Sequence, residues 1–141
     1  MTPEQVKLVQ ESFKSVAPIA GTAADLFYDR LFLIAPQART LFPDDLSEQK
    51  KKLMAMLGAV VMGLDKLETI LPAASALAKR HVDYGAKAEH YPVVGEALLW
   101  TLEKGLGAAW TRDLAAAWTE AYTTLSNFMI AEAYPQTKAA Q

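Results

Sequence analysis

The chain has 141 residues, 52% of them hydrophobic, enough to bury one substantial core and the length of one domain. Its 14 basic and 16 acidic side chains give a formal net charge of -2, which excludes the electropositive footprint of a nucleic-acid or anionic-membrane binder. Cysteine is absent, so there is no disulfide scaffold, thiolate metal site or cysteine nucleophile, which suits a reducing compartment.

The predicted elements are helical throughout. Thr2 caps a first helix, with Pro3 at its first position and Gln5 completing a capping box; Val6, Val9, Phe13 and Val16 form its apolar stripe, and Pro18 closes it. A second helix runs from about Ile19 to Ala35 and stops before Pro36. A short turn reaches Phe42 and Pro43, after which Asp45 and Glu48 make a second capping box that opens a long helix to about Leu67. The basic run Lys50-Lys51-Lys52 lies in this helix and reads as a solvated face. Pro72 suits the first turn of the next helix, which carries His81 and fades at Gly85. Pro92 starts another that reaches Gly105 and Gly107, and Thr111 caps the last, which Pro135 ends. No strand-length alternation or hairpin dipeptide is present, so the fold class is all-α, six main helices plus a short one. Residues 1–135 read as the domain and 136–141 as a polar tail. No secretory leader or membrane-spanning run is visible, and a cytoplasmic location is the expectation.

Polar groups interrupt four apolar stripes. His81, one of two histidines, follows Leu77 by four residues and shares its helix face, so an imidazole points where an apolar side chain points. By itself this describes a core histidine bonded to a backbone carbonyl as well as a ligand. Tyr28 lies on the face of Ala24, Leu31 and Ala35, and Gln49 heads the face of Leu53, Met56, Leu57, Val60 and Leu64; each could equally be a core-margin group bonded to backbone or water. In the last helix, Leu114, Trp118, Ala121, Leu125, Phe128 and Glu132 follow one another at steps of four and three, which turns the Glu132 carboxylate inward, where Tyr91 is a candidate donor.

Taken together, the order and spacing of several fragments resemble the globins, specifically bacterial single-domain haemoglobins and the haem domain of flavohaemoglobins. The fragments are Leu26-Phe27-Tyr28 with Leu31-Phe32, Pro36 with Leu41-Phe42, Gln49 with Leu53, His81, His90-Tyr91-Pro92-Val93-Val94-Gly95, and Ala117-Trp118 with Ala121-Tyr122. The resemblance covers residues 3 to 134 and implies a globin fold around a haem pocket.

It further implies that His81 is the proximal ligand of a haem b iron and that Phe42 packs on the porphyrin. Tyr28 and Gln49 would be the distal hydrogen-bond donors, with Leu53 the apolar residue over the iron. Behind the haem, the resemblance implies a network of histidine, tyrosine and glutamate that polarises the proximal imidazole. Tyr91 matches its tyrosine. The ungapped alignment puts Ala133 at the glutamate position and Glu132 beside it, while the inward stripe favours Glu132 as the network member. O₂, NO and CO are the implied ligands, and reversible O₂ binding in support of NO dioxygenation is the implied activity. The chain carries no Gly-rich dinucleotide motif, so a separate flavin/NAD(P)H reductase is the expected electron donor. O₂ storage or transport, or gas sensing through a protein partner, are the alternatives.

Overall fold

The computed structural model describes residues 1–83, 85 and 87–133; the tail 136–141 and the expected stop at Pro135 lie outside them. Among the described residues there are six α-helices, α1 (Pro3–Val16), α2 (Ala20–Ile34), α3 (Ser47–Met62), α4 (Leu67–Asp83), α5 (His90–Leu106) and α6 (Arg112–Ala133), joined in part by 3₁₀ turns, and no strand. None of these helices is long and apolar enough to cross a membrane.

Local chemistry accounts for most of the boundaries. The capping box of α1 forms as expected: the Gln5 N–H donates to Thr2 Oγ1 at 3.1 Å and the Thr2 N–H donates to Gln5 Oε1 at 3.0 Å. Thr111 caps α6 through its Oγ1, which accepts from the Leu114 N–H at 3.1 Å. Gly85 and Gly107 take positive φ at the ends of α4 and α5, a conformation open to glycine for want of a Cβ.

Two boundaries depart from the sequence expectation. The Asp45 carboxylate accepts from the N–H and hydroxyl of Ser47, at 2.9 and 2.7 Å, so it closes a local turn and no capping box with Glu48 forms. The long helix ends at Met62, and α4 begins at Leu67, placing Pro72 inside α4 rather than in its first turn. Pro72 cannot donate to the Glu68 carbonyl. That loss falls one residue into the helix, and Leu67 is tied down by packing against the main core. Gly63 marks the junction, since a Cβ there would lie 2.4 Å from Ile70 Cγ2.

The core is assembled by α2 against α5, α4 against α6, and α1 across α6. Trp118 is its largest fully buried side chain, and its Nε1–H donates to Ser12 Oγ at 2.9 Å, so the indole is both buried and satisfied. Fully burying one such large apolar side chain contributes roughly 1.5–3 kcal/mol. A smaller cluster around Ala74, Ala78, Tyr91 and Met129 joins α4, α5 and α6, with Leu77 packed against it. The space between the two clusters is not filled by side chains.

Candidate functional site

That space is a cavity of about 250 Å³ whose walls come from α2, the turn after it, α3, α4, α5 and α6. Tyr28, Phe42, Gln49, Leu53, His81 and Tyr91 all line it. Segments more than sixty residues apart in sequence thus meet at one place. Among the described residues its lining includes no Asp, Glu, Lys or Arg, so these walls offer an apolar guest shape and a few neutral donors rather than charge.

His81, half-buried, enters from α4. Its Nδ1 lies 2.8 Å from the Leu77 carbonyl oxygen; a carbonyl can only accept, so Nδ1 is the donor, and the neutral tautomer this contact selects has its lone pair on Nε2. The carbonyl contact expected of an ordinary core histidine is therefore made, and it is also what fixes the tautomer of a metal-ligating imidazole. Among the described residues no three His, Cys, Asp or Glu side chains converge, so a bare metal ion has no cage here. A metal that arrives with its own equatorial macrocycle needs only one protein ligand, and an apolar cavity with one oriented imidazole fits such a group.

Across the cavity, α2 supplies Tyr28 and α3 supplies Gln49. Tyr28 is 3% exposed. Burial raises its pKa, and the neighbouring Gln49 side chain offsets only part of that rise. The phenol is accordingly a neutral O–H donor at physiological pH. Leu53, one turn beyond Gln49, continues the apolar wall. Phe42 closes the front: its ring meets Tyr28 edge-on, centroids 5.6 Å apart at 75°, and Phe32 likewise at 5.6 Å and 65°.

Tyr91 stands in the first turn of α5, its ring stacked on His81 at 6.4 Å and 30°. The Tyr122 hydroxyl donates to the Tyr91 backbone carbonyl, and burial, together with the neighbouring Tyr91, pushes the Tyr122 phenol far above its usual pKa. The Tyr122 ring lies so close to α5 that a Cβ at Gly95 would be 2.6 Å from Tyr122 Cε2. The glycine in Val94-Gly95 is therefore a packing requirement.

Glu132 is where sequence reasoning fails. It is exposed, its Oε1 accepts from Ser75 Oγ of α4 at 2.8 Å, and it is not among the described residues that line the cavity. The stripe of steps four and three is real at Trp118, where α1 covers it through Ser12, but of its later members only Leu125 reaches the cavity, where Tyr122, Ser126 and Met129 complete the lining from α6. With about 100° per residue, Ala133 continues the direction of that lining and Glu132 falls to one side of it. Ala133 packs against the smaller cluster.

Other cavity residues carried weaker signals. Ser126 and Met129 lie two turns and one turn before the described end of α6 and had no spacing anomaly to mark them. His90 also lines the cavity, half-buried, with Nδ1 accepting from the Lys87 N–H at 3.0 Å.

The family model for globins matches residues 25–129. The chain belongs to the globin family. Among curated relatives, it is 32% identical over 127 residues to a flavohemoprotein of Bacillus subtilis, an alignment covering 85% of this chain and 32% of that protein. This globin thus spans about a third of the length of the flavohemoproteins it matches. Among solved structures it superposes on an engineered carbene transferase, a variant of a protein from Rhodothermus marinus described as a nitric oxide dioxygenase, with TM-score 0.86, 26% identity, and 99% and 97% of the two chains covered. A bacterial globin from Campylobacter jejuni gives TM-score 0.80 at 25% identity, with 97% of this chain and 99% of that chain covered. Family membership and the flavohemoprotein relatives imply haem binding by this globin.

Proposed function

We propose that the protein binds haem b through His81 and reversibly binds O₂ in a pocket where Tyr28 and Gln49 are the distal donors, and that it uses this O₂ to convert NO to nitrate. The observation that carries the reading is the pairing, across one apolar cavity, of an imidazole oriented by a backbone carbonyl and a buried phenol with an amide beside it. Haem, held there by His81, would supply iron chemistry toward a diatomic gas. Tyr28 and Gln49 direct O–H and N–H dipoles to the region where partial negative charge develops on bound O₂, in a site whose walls exclude water and therefore strengthen those dipoles. Leu53 and Phe42 keep the region dry and narrow. His81 holds the cofactor, with Leu77 fixing the ring, and Tyr91 packs behind it.

The overall reaction, NO plus O₂ plus one electron giving nitrate, needs a reductant. We assign this role to a flavin/NAD(P)H reductase outside these 141 residues, a reading supported by the flavohemoprotein relatives. Rapid mixing of the reduced, O₂-equilibrated protein with NO is the test. One nitrate and one oxidised haem per protein is expected in a single turnover, and sustained turnover only with an added electron source. A stable nitrosyl adduct without nitrate would move storage or sensing ahead of dioxygenation.

A further inference from the structure

The 3₁₀ turn Pro36–Leu41, which leads into Phe42, is closed by one side chain. Arg39 Nη1 donates to the carbonyls of Phe42 at 3.3 Å and Pro43 at 2.9 Å, and Nη2 donates to the Asp44 carbonyl at 3.0 Å. Three consecutive carbonyls therefore converge on a single guanidinium. Pro43 has no N–H to give, and residues 43–45 are exposed, outside any helix. The guanidinium carbon also lies 5.2 Å from the centroid of the Phe32 ring, which fixes the plane of the fork. Phe32 in turn contacts Phe42 edge-on at 5.6 Å and Tyr28 at 5.9 Å.

We propose that Arg39 is the positioning residue of the cavity's front wall: it holds the Phe42 backbone directly and, through Phe32, sets the Tyr28 ring. The consequence for cofactor and gas rests on the haem-site reading above; the consequence for the segment 42–46 does not. The demand is geometric as much as electrostatic. Lysine carries the same charge but offers a point ammonium, which can neither fork to three carbonyls nor lie flat on Phe32.

Arg39→Gln and Arg39→Lys, each compared with the wild-type protein, test this. Amide hydrogen exchange of the segment 42–46, read at Phe42, whose N–H donates to the Arg39 carbonyl at 3.2 Å, and measured without cofactor, should speed up about tenfold or more in both variants, the scale of one charge-assisted hydrogen bond. In haem-loaded protein, loss of haem to an excess of apomyoglobin should accelerate by a similar factor, and O₂ release by roughly threefold through Tyr28, with exchange in α1, α5 and α6 unchanged. Wild-type exchange at 42–46 in both variants would overturn the proposal, as would an Arg39→Lys protein indistinguishable from wild type in every measurement. If the wild-type protein takes up no haem, the haem-site reading fails, and the exchange of 42–46 still decides the role of Arg39.

Discussion

Replacing Tyr28 by Phe removes one hydroxyl and leaves the ring, so its effect on gas release isolates the distal hydrogen bond. The phenol is almost fully buried and its pKa is raised by burial, which places the O–H dipole in a low-dielectric wall. A buried hydrogen bond to a partly charged acceptor is worth about 1.5–3 kcal/mol, and each 1.36 kcal/mol is a factor of ten in rate, so O₂ release should accelerate roughly ten- to a hundredfold. Gln49 is half-buried, so Gln49→Leu belongs at the lower end of that range. Because Gln49 and Tyr28 line the same cavity and serve the same gas, their effects are coupled, and the double variant should show less than the sum of the two. Stopped-flow displacement of O₂ by CO gives the rates, with CO release as the control, since bound CO carries less negative charge. Equal small changes for O₂ and CO in both single variants would refute the reasoning.

His81→Gly should lose most of its haem retention, because apolar burial alone then holds the cofactor, and added imidazole should restore part of the absorbance spectrum. Unchanged stoichiometric haem in that variant would contradict the ligand assignment. Gly95→Ala drives a Cβ into the Tyr122 ring and should lower stability by about 1–3 kcal/mol in denaturant titration. Gly21→Ala, with nothing within 4 Å of its Cβ, should be neutral or raise stability by about 0.5–1 kcal/mol. The phenols of Tyr28 and Tyr122 have folded pKa values above those of the unfolded chain. Their stabilising contribution is complete below about pH 10 and is lost as pH rises through the folded values. Phenolate absorbance should accordingly report their ionisation together with alkaline unfolding, and not as a separate reversible step near pH 10 in folded protein.

Helix number and order were legible because the punctuation is strong: Thr2-Pro3 with Gln5, the glycines at 85 and 107, and Thr111 each act locally. Asp45 and Pro72 misled because a local rule had a competitor. Asp45 had Ser47 two residues away as a nearer donor pair, and Pro72 was overruled by the packing of Leu67. Tyr28, Gln49 and His81 stood out as polar groups on apolar faces, and the fold brings them to one cavity. Glu132 fitted an apolar stripe equally well, yet that stripe faces α1 along part of α6 only, and the direction of the cavity around a helix cannot be read from periodicity alone. Arg39 left no signal, since a guanidinium that binds three carbonyls looks in sequence like any solvated cation.

Absorbance spectroscopy of the protein titrated with haem, in the oxidised, reduced and CO-exposed states, tests the central claim most directly. The account predicts saturation at one haem per chain, a five-coordinate reduced form, and a shift to a six-coordinate spectrum with CO. Failure to saturate at one haem, or a reduced spectrum already six-coordinate and unmoved by CO, would contradict a His81-held cofactor with its opposite face open to gas.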